Sequence, residues 1–145
     1  MVQEVSLQQL LSALSETGKA PVLVLDPSGA SETFFKYKAI LVMAYNEREA
    51  IPSALKNRFM ASVRSGVTLV LSIDEDKSPF DYFDRDSFPE EILDQSKLTE
   101  EFLEHYTDTD TWCMLHKNFK FVVLQKSHEV PDWAEAFDII KITVN

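Results

Sequence analysis

The residues with the clearest potential for chemistry are Asp26-Pro27-Ser28-Gly29-Ala30-Ser31-Glu32-Thr33, which follow the apolar run at residues 21–25. In open α/β sheets ligands bind beyond the carboxyl ends of the strands, so a turn closing a buried strand is the place to look. A phosphate-binding loop has the form G-x-x-x-x-G-K-[ST]: its glycines let backbone amides curl around phosphate, its lysine neutralises the β/γ oxygens and its hydroxyl residue holds Mg²⁺. Aligned to that form, Asp26 replaces the first glycine, Ser31 the second and Glu32 the lysine, while Thr33 keeps its type and Gly29 is left to hold the turn. Glu32 turns attraction into repulsion, on the order of several kcal/mol in a partly desolvated loop, and is expected to be the main obstacle to an anion. From the loop in isolation, an ordinary strand-to-helix turn is an equally open reading.

A second cluster, Asp74-Glu75, closes the apolar run at residues 67–73 and has the form of a Mg²⁺-holding carboxylate beside a water-polarising one. The same acids, with Asp76, also read as a solvated loop. Gly29, Thr33, Asp74 and Glu75 are therefore the candidates for a vestigial or weak nucleotide or Mg²⁺ site, and Gln125 is the polar residue at the end of a later strand that could touch a ligand. Phosphoryl transfer also draws on an arginine finger, worth about 10³–10⁵ in rate. No arginine follows Arg85.

Other chemistries fit less well. As a calcium loop, Asp74-x-Asp76 would place Pro79 at the glycine position and Arg85 at the glutamate position. Cys113-x-x-His116 offers two zinc ligands, and His105 and His128 supply no second half-site at metal-binding spacing. Ser28 and Ser31 lack the turn motif of a serine hydrolase. A phosphoacceptor receiver domain would use Asp26 and Asp74 at the ends of its first and third strands, but Lys141 falls inside the last strand instead of at its mouth. No catalytic residue, metal site or cofactor is expected.

The elements that must position these residues follow from periodicity. Ser6 followed by Leu7, Leu10, Leu11 and Leu14 predicts an amphipathic helix stopped by Gly18. Strands are expected at residues 21–25, 39–45, 67–73, 119–124 and 137–144, with a short helix at 31–38. A longer helix starts near Pro52, presents Ile51, Leu55, Phe59 and Val63 on one face and ends at Gly66. Between 74 and 110, residues 87–93 look like a capped helix start, and Leu98, Phe102 and Tyr106 form another apolar stripe. The expected architecture is α/β: a three-layer sandwich around a mostly parallel five-stranded sheet, in one domain spanning 1–145.

PVLVLDPSGASETFF resembles the first strand and degenerate phosphate loop of the fifth AAA+ module of dynein heavy chains. PSALKNRFMASVRSGVTLVLSIDED is similar to that module's second helix and third strand, NFKFVVLQKSHEVPDW to its fourth strand and continuation, and FDIIKITVN to its closing strand. The matches are weak residue by residue but ordered and spaced over most of the chain. The resemblance implies a P-loop NTPase (AAA+)-like fold lacking the helical lid, no ATP hydrolysis, and a structural or protein-interaction role linked by analogy to the cytoskeleton or cilium. It also places the functional position of the third strand nearer Leu71-Ser72 than Asp74. A nucleotide- or Mg²⁺-binding switch that uses Thr33, Asp74 and Glu75 without hydrolysis is the alternative.

Composition narrows the partners. The chain of 145 residues is 45% hydrophobic and carries a formal charge of −10. Residues 74–110 hold 14 Asp/Glu against Lys77, Arg85 and Lys97, a net of −11, so the remainder is nearly neutral. Such a chain gains nothing from counterion release on nucleic acid and is repelled by anionic lipid. Protein partners with basic surfaces are expected, and the acidic stretch is expected to be either the most mobile part or the contact surface. One cysteine and a start without basic and apolar signal regions lead to a cytoplasmic expectation.

Overall fold

The computed structural model describes residues 2–107 and 114–143. Its framework is one parallel sheet of six strands: β1 (Val2–Val5), β2 (Val22–Leu25), β3 (Ile40–Met43), β4 (Leu69–Ile73), β5 (Phe121–Gln125) and β6 (Asp138–Ile142), in the spatial order β1-β6-β2-β5-β4-β3. The expected five-stranded count is corrected to six. The added strand, β1, lies at the edge and pairs Val2 with Ile139 and Val5 with Ile142. Only Val5 of its four residues is buried, so the segment lacks the continuous apolar run that marked the others.

β2, β4 and β5 are buried along their whole length because helices cover both faces. On one face α1 (Leu10–Glu16) and α2 (Ala30–Lys38) pack Leu10, Leu14 and Phe35 against Val22, Val24, Val122, Leu124 and Ile140. On the other, α3 (Pro52–Ser65) packs Leu55, Phe59 and Val63 against Leu23, Leu25, Leu69, Leu71 and Val123. Ile51 is the cap residue before α3 and is exposed, so it is not part of that face. Leu11 likewise faces outward, because the first turn, Leu7–Gln9, is a 3₁₀ turn that rotates the stripe onto Leu10, Ala13 and Leu14.

The acidic middle is anchored. In place of a helix from Ser87, there are short 3₁₀ turns, Glu90–Leu93 and Gln95–Lys97, followed by α4 (Glu100–Glu104), whose first turn is capped by the Thr99 hydroxyl accepting from Phe102 N at 3.1 Å. Phe88, Ile92, Leu98, Leu103 and Tyr106 from this stretch enter the core beside Phe59, with Phe59 edge-on to both Phe88 and Tyr106. No helix among the described residues is long and apolar enough to cross a membrane.

β2 and β5 are neighbours whose outgoing connections diverge: β2 leads through α2 to the far edge at β3, and β5 leads to β6 on the opposite side of β2. This is the topological switch point at which open α/β sheets place their ligand crevice. The turn after β2 and the segment after β5 border it.

Candidate functional site

The turn after β2 is closed on its own carboxylate. Asp26 is fully buried, and its Oδ1 accepts from Ser28 N at 3.0 Å and Ser28 Oγ at 2.6 Å. Its Oδ2 accepts from Ser31 N at 2.7 Å and Ser31 Oγ at 2.6 Å. Burial pushes the Asp26 pKa upward, but these four hydrogen bonds outweigh it and hold the carboxyl below its ordinary value. The remaining amides of the turn are also spent: Gly29 N donates to Asp26 O at 3.2 Å, Ala30 N to Ser28 Oγ at 3.2 Å and Glu32 N to Gly29 O at 3.2 Å. Asp26 thus sits where the start of α2 favours an anion, as an anion built into the chain.

Gly29 caps α2 with φ at +75°, the left-handed conformation that glycine adopts without steric cost. The Lys126 chain crosses above it, with Cε 3.2 Å from where a Cβ would stand. Lys126 Nζ lies 3.7 Å from Glu32 Oε2 and 5.5 Å from the centre of the Tyr45 ring.

Glu32 faces inward instead of standing over an open phosphate site. Its Oε1 accepts from Tyr45 Oη at 2.8 Å and its Oε2 from Ser72 Oγ at 2.7 Å. One side chain of α2 therefore ties together the segment after β3, the strand β4 and the segment after β5. Burial raises the Tyr45 pKa to about 12, assisted by the hydrogen bond and charge of Glu32 and by Glu49 and Asp74. Two negative groups therefore stand at the loop: Asp26, which accepts from the Ser28 and Ser31 amides, and Glu32, with Lys126 Nζ 3.7 Å from its carboxylate.

The other predicted residues separate. Thr33 is exposed, and its side chain makes no hydrogen bond among the described residues. Asp74 and Glu75 follow β4 with exposed side chains and line a cavity of about 220 Å³ with Tyr45, Ser72 and Lys126. At the third-strand position nearer Leu71-Ser72, Ser72 is the residue engaged with Glu32. Asp26 and Asp74 end strands separated by β5, so the fold does not pair them as a receiver domain would; that arrangement uses the strand order 2-1-3-4-5, with the first and third strands adjacent.

Gln125, at the end of β5, is buried and donates from Nε2 to Asp74 O at 3.2 Å and to Lys77 O at 3.1 Å, clamping the loop after β4. His116 packs against Gly66, accepts from Asn118 N at its Nδ1 and donates its backbone N to Val63 O, which gives it a role at the end of α3. Cys113 lies outside the described residues. Among those described, no group of three or more His, Cys, Asp or Glu side chains is placed to hold a metal ion.

The residues missed from the sequence are Tyr45 and Lys126, whereas Ser72 is singled out only by the resemblance, at the third-strand position. Nothing local links them to Glu32, since Tyr45 and Ser72 lie 13 and 40 positions from it. Asp26 did carry a signal, because an Asp followed at the second position by Ser is the pattern of a side chain closing its own turn. Among the described residues, the donors of this turn are satisfied internally and the cation beside it, Lys126, stands against Glu32, which leaves no free donor set for a phosphate there. Comparisons with protein-family models, with curated protein sequences and with solved structures found no match.

Proposed function

We propose that the chain is a degenerate P-loop NTPase (AAA+)-like domain, a pseudo-ATPase that acts as a scaffold or protein-interaction module. The observation that carries this reading is the closure of the turn on Asp26, which gives the loop an internal substitute for phosphate. The Glu32 links to Tyr45, Ser72 and Lys126 support it further, because they brace the strand ends that a nucleotide and Mg²⁺ would otherwise organise. The parallel sheet with β2 at its switch point is compatible with a P-loop-like layout. A cytoplasmic location at the cytoskeleton or cilium follows by analogy with dynein alone.

The test is calorimetric titration of the protein with ATP and with ADP in Mg²⁺. We expect no binding heat and no turnover. Saturable binding that is weakened by Thr33→Ala and Asp74→Ala would instead establish the nucleotide switch.

A further inference from the structure

The two edges of the sheet are built differently. β1 carries Glu4, and a charge on an edge strand discourages pairing with another chain, whereas residues 39–45, which contain β3, hold no charged residue and no proline. Ile40 N donates to Thr68 O and Ala44 N to Ser72 O, on the side of β4, so by the alternation of a strand Leu41 and Met43 turn their backbone groups outward. Those of Met43 are closed: its N donates to Glu49 Oε1 at 3.3 Å, and its O accepts from Asn46 N at 2.9 Å. Leu41 is left open, and its N–H and C=O make no hydrogen bond among the described residues.

The two ends of this edge carry opposite charge. Lys36 and Lys38 are exposed in the last turn of α2, at the entry to β3, and Tyr37 between them is 78% exposed, the highest value for a large apolar side chain among the described residues. At the exit stand Glu47, which is exposed, and Glu49, with Arg48 between them.

We infer that β3 pairs antiparallel with β3 of a second copy of this chain, about a two-fold axis at Leu41, so that one sheet runs through both molecules. Three features select this occupant. Opposite residues of a hydrogen-bonded antiparallel pair exchange both N–H···O bonds, so Leu41 against Leu41 uses the open donor and acceptor of each chain and asks nothing of Met43. A foreign strand laid along the whole edge would need the Met43 groups that Glu49 and Asn46 occupy. The antiparallel direction also sets the basic entry of one strand beside the acidic exit of the other, twice by symmetry, whereas a parallel pair would set like charge against like. The contact is isologous and closes at two copies.

This inference is independent of the pseudo-ATPase reading and of the nucleotide titration that tests it. Its own test is sedimentation velocity of the full chain over a concentration series from micromolar to millimolar. The wild type is expected to pass from monomer to dimer. Lys38→Glu and Glu47→Lys should each weaken self-association by about tenfold, because a homodimer of either variant contains the repulsive contact twice. An equimolar mixture of the two variants should regain the wild-type association, since one Lys38→Glu chain and one Glu47→Lys chain carry opposite charges at both ends of the pair. Leu41→Pro removes both exchanged donors while leaving the groups that face β4 in place, and should be monomeric throughout.

A wild type that stays monomeric to millimolar concentration would overturn the inference. So would a dimer that both charge variants leave intact, or a mixture that associates no better than its components, since either result places the contact on another surface. Should Leu41→Pro fail to fold, the mixing experiment decides the matter alone, because exposed Lys38 and Glu47 take no part in the core.

Discussion

Asp26 is the residue on which the site turns, and its energetics are asymmetric. Replacing it with Asn keeps the shape but points an amide at the Ser28 and Ser31 donors, so buried hydrogen-bonding groups lose their partner. We expect Asp26→Asn to lower stability by about 2–3 kcal/mol in urea unfolding at neutral pH. Because the folded pKa lies below the unfolded one, this contribution is fully present above about pH 4 and is lost as pH falls through the folded value. The stability difference between wild type and Asp26→Asn should therefore shrink in acid; a difference independent of pH would mean that the carboxylate is not held as an anion. Ser87 gives the opposite case, since its Oγ is buried without a partner. Ser87→Ala should be neutral or stabilising by up to about 1 kcal/mol in the same assay. The loop was legible as a degenerate phosphate loop because its residues are contiguous. The identity of its anion was not, since Asp26 could be recognised as a misplaced glycine but not as the acceptor of four bonds.

At the scale of elements, the strands that read correctly were those whose burial on both faces writes an unbroken apolar run, β2 and β4 above all. The strand β1 did not, because an edge strand with one buried residue is specified by pairing with β6 across nearly the whole chain rather than by its own composition. The end of α3 was legible for a local reason. Gly66 takes φ of +76° as the residue after the helix, and its amide donates to Ser62 O at 2.9 Å. A side chain there would also meet the His116 ring, whose Nδ1 stands in the space a Cβ would fill. Gly66→Ala should thus cost more than the conformational penalty alone, about 1–3 kcal/mol, measured as a fall in the urea midpoint with unchanged slope. A variant that also removed the imidazole, Gly66→Ala with His116→Gly, should recover part of the loss; no recovery would place the whole cost in the backbone.

For the whole molecule, the decisive quantity is how the formal charge of −10 is carried. The apolar core lies in two clusters, one on each face of the sheet, and the acidic stretch from 74 onward is fastened over one of them by Phe88, Ile92, Leu98, Leu103 and Tyr106. Its carboxylates are consequently held near one another in the fold at distances the unfolded chain would relax. Repulsion among exposed like charges is screened by salt, whereas the Glu32 contact to Ser72 is partly buried and screened less. The two effects have opposite signs, and the larger number of exposed acids should decide the outcome. Raising sodium chloride from about 0.01 M to about 0.5 M is therefore expected to stabilise the protein by roughly 0.5–1 kcal/mol, seen as a higher thermal midpoint. Glu129→Lys with Asp132→Lys should reduce that salt gain by relieving part of the repulsion in advance. If salt instead lowers the midpoint, attraction outweighs repulsion across the molecule, and the acidic face is compensated within the fold rather than left for a basic partner.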